Sequence, residues 1–125
     1  MRIAITAKGQ TLDHAVDPRF GRCTYFVIVD TETMATEAIE NPNTSLGGGA
    51  GIQSAQVMAE KNVEFVLTGN CGPNASRTLD AAGIRVAVDI SGTVREAVEQ
   101  FKAGEAPHSD GPNVQSHSGN SSTTA

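Results

Sequence analysis

The sequence predicts an α/β fold in which a mixed five-stranded sheet carries helices on its faces, in the order β-β-β-α-β-α-β-α. The first part of the chain holds β-branched and alternating apolar segments, and later apolar runs alternate with segments of helical spacing. Alternating strands and helices are normally parallel and joined by right-handed crossovers. The first three strands are linked by a loop and a tight turn, so we expect them to be antiparallel.

Three strands are predicted before the first helix. Arg2–Ala7 alternates like a strand, with Ile3 and Ile5 on one face. Residues 24–31, TYFVIVDT, are rich in β-branched and aromatic residues and form the second strand. Residues 34–40 are its expected hairpin partner, although MATEAIE has a helical propensity that sheet pairing must override.

The first predicted helix covers residues 50–62. Its apolar stripe runs through Ile52, Ala55 and Ala59, with Met58 on the flank as a gap-filling core residue. The apolar run in residues 64–68 then predicts a strand that is covered on both faces.

Two further helices and one strand complete the predicted domain. Pro73 suits the first turn of a helix whose Leu79 and Ala82 face inward. Residues 84–88 form a short strand, and Thr93 with Glu96 makes a capping box for the last helix. Gly83 and Gly104 end these two helices.

The chain divides into a folded domain, residues 1–105, and a polar C-terminal tail, residues 106–125. The tail has Val114 as its only branched apolar residue, so it cannot bury enough surface to offset the entropy of ordering, and we expect disorder. Its histidines, His108 and His117, are expected to be solvated rather than metal-bound.

Composition excludes several classes of partner. A net charge of −5 and an aromatic content of 4% disfavour nucleic acid, which requires basic and base-stacking surfaces. No apolar run reaches the ~18 residues of a membrane span, and the N-terminus is unlike a secretory signal. We therefore expect a cytoplasmic protein in which Cys23 and Cys71, neither in a CxxC pair, remain reduced thiols.

Two glycine-rich loops precede predicted helices, and they suggest a receptacle for a compact anion. Residues 47–51 read GGGAG, and residues 69–73 read GNCGP. Glycine lets backbone N–H groups approach a ligand, and a helix N-terminus adds donors and a positive dipole end. Both loops, and the loop after the first strand, should gather at the carboxyl ends of the strands, where strand order reverses.

Three side chains are candidate metal ligands, each with a structural alternative. Cys71 lies at a predicted helix N-terminus, where thiol pKa values fall, but a small half-buried turn residue fits equally well. Cys23 precedes a strand and fits the core better. His14 lies in a polar loop and is a weaker candidate ligand.

Two residues after the first strand have two interpretations each. Arg19 and Arg22 could make charge-assisted contacts with an anion. Arg19 could instead pair with Asp17 or Asp13 and order its loop. Phe20 could line an apolar pocket, or it could anchor the loop in the hydrophobic core.

Three motifs resemble the dinitrogenase iron–molybdenum cofactor biosynthesis family. Residues 17–26 resemble its DxRFGRC-x-YF signature, and residues 47–52 (GGGAGI) and 68–75 (TGNCGPNA) resemble its two later motifs, in the same order. The family includes nitrogenase cofactor carriers, insertion accessories and the orange proteins of sulfate-reducing bacteria. The resemblance covers residues 1 to about 105, and we recognise no counterpart of the tail.

The resemblance implies a ribonuclease-H-like three-layer fold without nuclease activity. It further implies non-covalent binding of a metal–sulfur cluster, either a molybdenum–copper sulfide or an iron–molybdenum type, by a monomer or weak dimer that meets cofactor-assembly proteins. The expected cluster-binding residues are Arg19, Phe20, Gly21, Gly48, Gly49, Gly51, Asn70, Cys71 and Gly72, with Cys71 and His14 as possible metal ligands.

Other functions remain open. A phosphate- or nucleotide-binding enzyme is the main alternative, although neither loop matches GxxxxGK[ST] or a GxGxxG that follows a strand. A nuclease needs converging carboxylates, and the first strand has none. Nucleophilic catalysis by Cys71 with His14 lacks a recognisable third partner. A pure interaction module also stays open, because cluster carriers must dock with assembly partners.

Overall fold

The computed structural model describes residues 1–42 and 50–104. The predicted order of elements is confirmed. The elements are β1 (Arg2–Ala7), β2 (Tyr25–Asp30), β3 (Thr36–Glu40), α1 (Ala50–Glu60), β4 (Phe65–Leu67), α2 (Pro73–Ala81), β5 (Arg85–Ala87) and α3 (Val94–Lys102). Gly48, Gly49 and the predicted tail lie outside the described residues. Within the described ranges, no helix has the length and hydropathy of a membrane span.

The sheet has five strands in the order β3-β2-β1-β4-β5. β1 pairs antiparallel with β2, and β2 pairs antiparallel with β3. β4 lies parallel to both β1 and β5. The predicted mixed sheet is therefore confirmed, with β1 at its centre, antiparallel to its neighbour β2 and parallel to its neighbour β4.

Helices cover both faces of the sheet, each over its own core. On one face, Ala55 and Met58 of α1 and Leu79 of α2 pack with Phe26 and Val66. On the other face, α3 packs over the remaining inward side chains of the strands. These are Ile3, Ile5, Val27, Val29 and Leu67 of the strands and Val94, Ala97 and Val98 of α3. The alternation of side chains along β1 and β2 thus supplies two cores, giving three layers.

Two predicted helical positions are wrong. Ala59 is exposed while Met58 is fully buried, because the side of α1 that faces the core runs through Ala55 and Met58, three residues apart. Ala82 is also exposed, since α2 ends at Ala81. Between α1 and β4, Asn62 has a φ of 60° and turns the chain toward the sheet.

The ends of β3 and α3 follow from local hydrogen bonds. Met34 has φ of 63° and donates its N–H to the Asp30 carbonyl at 2.7 Å, so β3 begins at Thr36 rather than at residue 34. The predicted capping box is confirmed: Thr93 Oγ1 accepts from Glu96 N at 3.1 Å, and Glu96 Oε1 accepts from Thr93 N at 2.9 Å.

Candidate functional site

A surface cavity of about 350 Å³ lies at the carboxyl ends of the central strands. Three segments surround it: the loop after β1, the N-terminus of α1, and the loop that leads into α2. Its lining residues are Arg19, Phe20, Gly21 and Arg22, then Ala50, Gly51 and Ile52, and finally Asn70, Gly72, Pro73, Asn74 and Ala75.

The order of the strands explains why these segments meet. The chain adds β2 and β3 on one side of β1, and β4 and β5 on the other side, so strand order reverses between β1 and its parallel neighbour β4. Parallel strands end at the same edge of a sheet, and the segments after β1 and β4 emerge there side by side. α1 and α2 pack on one face of the sheet, and both begin at this edge.

Backbone hydrogen bonds join the loop after β1 to the loop after β4. Asn70 N donates to Pro18 O at 2.7 Å, and Phe20 N donates to Asn70 O at 3.2 Å. The Asn70 side-chain amide adds a contact to Pro18 O at 3.3 Å. These bonds form an isolated parallel bridge between Arg19 and Asn70, and they place both residues on the wall of the cavity.

The loop after β1 also touches the start of α1 backbone to backbone. A Cβ on Gly21 would lie 2.8 Å from the Cα of Gly51, closer than real Cβ atoms approach other atoms. A Cβ on Gly51 would in turn lie 3.0 Å from the Ala75 Cβ of α2. The N-termini of the two helices are therefore held close together at the cavity.

The chemistry of the cavity suits an anion. Arg19 and Arg22 line it, and its described lining contains no aspartate or glutamate, although the whole protein carries a net charge of −5. The first turn of a helix presents N–H groups without intrahelical acceptors and the positive end of the helix dipole. With two helices beginning there, the main chain and the guanidinium groups both attract negative charge.

Arg19 is oriented by a buried carboxylate. The Asp17 side chain is 2% exposed, and its Oδ1 lies 3.3 Å from Arg19 Nε. Asp17 Oδ2 accepts from Arg19 Nη2 at 3.4 Å, and Oδ1 also accepts from the Arg19 backbone N–H at 3.1 Å. These hydrogen bonds raise the pKa of Arg19. Of the pairings considered from sequence, Asp17 is the partner, because Asp13 instead contacts Arg95 at 3.2 Å.

Asp17 is itself fixed to the end of β1. Its backbone N–H donates to Thr6 O at 2.8 Å, and its carbonyl accepts from Thr6 Oγ1 at 2.6 Å. Thr6 Oγ1 is also 2.8 Å from Thr68 Oγ1, at the end of β4. A buried pair of hydroxyl groups thus links the two central strands to the loop that carries Arg19.

Cys71 does not present its sulfur to the cavity. The residue is 1% exposed, belongs to the core beneath α1 and α2, and is absent from the cavity lining. Burial raises the pKa of its thiol to about 11, so the expected fall in that pKa is wrong. Cys23 lies in the same core as predicted, and burial raises its pKa to about 12.

His14 is also outside the cavity lining. It is exposed, and its loop packs on the start of α3, where Val94 N donates to His14 O at 2.9 Å. Its Nδ1 lies 2.9 Å from Thr11 Oγ1. Within residues 1–42 and 50–104, no three His, Cys, Asp or Glu side chains are grouped as a metal site.

Phe20 combines both roles considered from sequence. It lines the cavity, yet it is only 2% exposed, and its ring packs at a tilt on Phe26 with centroids 5.8 Å apart.

Sequence reasoning missed Asn74 and Ala75 as lining residues. Pro73 at the first helical position was the available signal, because it places the next two residues in the first turn of α2.

Comparison with known families and proteins agrees with the motifs. The family described as dinitrogenase iron-molybdenum cofactor matches residues 1–104. A curated relative, an uncharacterized protein of Methanocaldococcus jannaschii, is 31% identical over 108 residues, covering 84% of this chain and 88% of the relative.

Solved structures with the same fold include two similar in sequence. The apo form of the orange protein from Desulfovibrio gigas is 51% identical, with a TM-score of 0.87, over 90% of this chain and 95% of that one. A putative NifB protein from Thermotoga, assigned to the DUF35 family, is 38% identical with a TM-score of 0.76, over 86% and 91% respectively.

Proposed function

This chain belongs to the dinitrogenase iron–molybdenum cofactor family, and from that premise we propose that it binds and carries a preformed metal–sulfur cluster without catalytic turnover. The observation that carries the proposal is the cavity in which Arg19, Arg22 and two helix N-termini converge without a carboxylate in the described lining. The similarity to an orange protein supports a carrier rather than a catalyst.

The proposed cargo is a molybdenum–copper sulfide or an iron–molybdenum cluster. Such clusters are polyanionic and larger than phosphate, and a cavity of about 350 Å³ offers them room. Sulfide atoms accept hydrogen bonds from main-chain N–H and guanidinium groups, so non-covalent binding needs no protein ligand to the metal. The proposed contacts are Arg19, Phe20, Gly21, Gly51, Asn70 and Gly72, with Gly48 and Gly49 added from their place before Ala50.

We do not assign Cys71 or His14 as metal ligands in this proposal. The sulfur of Cys71 is buried, and His14 lies in a loop that packs on α3. We also keep the ribonuclease-H-like description of the fold as a proposal, supported by the strand order β3-β2-β1-β4-β5. Cofactor-assembly proteins are the proposed partners of a monomer or weak dimer.

Anaerobic titration with tetrathiomolybdate and copper(I), and separately with an iron–molybdenum cluster, tests the proposal. We expect visible charge-transfer bands that remain after desalting, at a fixed ratio of metal to protein. Arg19→Gln should weaken binding about tenfold or more, because it removes a charged hydrogen-bond donor. Arg95→Gln is the matched control, since Arg95 pairs with Asp13 outside the cavity lining, and its binding should be unchanged.

The same titration distinguishes cluster binding from the main alternative, which is phosphate or nucleotide binding. A protein that keeps no colour, but whose melting temperature rises with a nucleotide or inorganic phosphate, would be a phosphate-binding protein instead. Equal binding by Arg19→Gln and Arg95→Gln would show that the cluster sits elsewhere.

A further inference from the structure

Gly72 lies at the cavity, and none of the described residues packs against it so closely that glycine is required. Its φ of −72° and ψ of 170° are extended values that any L-residue adopts. Among residues 1–42 and 50–104, a Cβ on Gly72 would meet no atom within 4 Å apart from those of its two chain neighbours. By contrast, a Cβ on Gly69 would lie 2.7 Å from the Cα of Pro18, so close packing of the backbone requires that glycine.

Glycine is also not the residue that best stabilises this position. Gly72 is the N-cap of α2, directly before Pro73, and no side chain caps the helix there. Serine, aspartate and asparagine at an N-cap accept hydrogen bonds from N–H groups of the first turn and stabilise the helix. Glycine additionally gives the unfolded chain more conformational freedom. The folded protein alone therefore gains no stability from glycine at this position.

We propose that Gly72 is a specificity-determining residue, which reserves space and main-chain N–H groups at the start of α2 for a multinuclear metal–sulfur anion. This inference rests on the proposed function and names one surface that the cargo contacts. Gly72 lines the cavity together with Asn74 and Ala75, which contribute the first-turn N–H groups. A side chain at residue 72 would occupy the space that the anion needs in order to reach those groups.

Two substitutions separate crowding from capping. Gly72→Ser adds a side chain whose hydroxyl oxygen caps the same first-turn N–H groups, so it both fills the space and competes with the anion. Gly72→Ala adds only a Cβ. Its entropic benefit to the folded state is offset by the poor N-cap preference of alanine, so it changes stability little.

The experiment measures the melting temperature of the unloaded protein and the anaerobic binding of tetrathiomolybdate with copper(I). For Gly72→Ser we expect the melting temperature to rise by about 2–8 °C. We expect its dissociation constant to rise by at least about tenfold, since a built-in clash rejects a large ligand. Gly72→Ala should also weaken binding, by a smaller factor, with the melting temperature within about 2 °C of the original.

Thr93→Ala is the matched control, because it removes the N-cap of α3 on the opposite face of the sheet. It should lower the melting temperature and leave binding unchanged. Binding by both Gly72 variants within about twofold of the original protein would overturn the inference alone. If both Gly72 variants melt at a lower temperature than the original protein, the fold itself requires glycine at this position and the inference is wrong. If the original protein binds no cluster, the proposed function is wrong as well.

Discussion

At the scale of single residues, the site depends on how side chains are held rather than on which reactive groups are present. Arg19 is 61% exposed at the cavity, yet three of its nitrogen atoms contact the carboxylate of Asp17. Asp17 is fixed by two hydrogen bonds with Thr6. The guanidinium is thus oriented before any ligand arrives, and less rotamer entropy is lost on binding.

We expect Asp17→Asn to weaken binding of the tetrathiomolybdate–copper cluster by about twofold to tenfold, because Arg19 would then be ordered only on binding. Asparagine keeps one oxygen that can accept from the Arg19 backbone, so the loop retains part of its support. Anaerobic titration measures the change, and Asp13→Asn, at an exposed pair with Arg95, is the control. Tighter binding by Asp17→Asn would show that removing a negative charge outweighs the loss of orientation.

The residue types at the site were predictable from sequence, but the directions of their side chains were not. A glycine-rich loop at a helix N-terminus suggested a reactive thiol at Cys71, yet the residue is buried in the core that α1 and α2 share. Asp17 was considered only as one possible partner of Arg19. It is buried and bonded to the backbone and hydroxyl of Thr6, eleven residues earlier, and the local sequence does not encode this contact.

At the scale of elements, those with strong local signals were predicted most closely. The Thr93–Glu96 box fixes the start of α3, and β2 forms where β-branched residues are dense. Sheet pairing overrides the helical propensity of β3, whose Thr36 lies opposite Val29 of β2. β4 and β5 are each one residue shorter at both ends than the predicted ranges 64–68 and 84–88.

We expect Thr93→Ala to lower the free energy of unfolding by about 1 kcal/mol, the usual contribution of an N-cap. The alanine removes the oxygen that accepts from Glu96 N at 3.1 Å. Urea denaturation measures the change, and Thr93→Ser, which keeps the capping hydroxyl, should change the free energy of unfolding by no more than about 0.5 kcal/mol. Equal midpoints for Thr93→Ala and the original protein would mean that the capping bonds do not contribute.

At the scale of the whole molecule, the topology was predictable because alternating strands and helices permit few arrangements. Two cores lie on opposite faces of one sheet, and the cavity lies at the edge where strand order reverses. The cavity shape was less predictable, since it depends on close backbone contacts such as that of Gly21 with Gly51. Both cysteines belong to the core shared by α1 and α2, and this couples the stability of that core to pH.

The free energy of unfolding should fall as the pH rises above about 9. The thiol of Cys71 has its pKa raised by burial from 9.0 to about 11, and that of Cys23 from 9.0 to about 12. Between pH 9 and the raised pKa of each thiol, the unfolded state has lost a proton that the folded state keeps. In that range each buried thiol lowers the free energy of unfolding by up to about 1.4 kcal/mol per pH unit. Cys71→Ala should therefore show a shallower decline, measured by urea denaturation from pH 8 to pH 10.5. A decline as steep as that of the original protein would contradict this account.

The burial of both thiols also has a practical consequence for following the protein in solution. At neutral pH the thiols of Cys23 and Cys71 are protonated and buried. Maleimide reagents attack exposed thiolates, so neither cysteine should react readily with them. A single cysteine introduced at the exposed Gln100 of α3 would then accept a fluorophore selectively. Because α3 covers the opposite face of the sheet and lies outside the cavity lining, such a dye would leave the entrance of the cavity unobstructed.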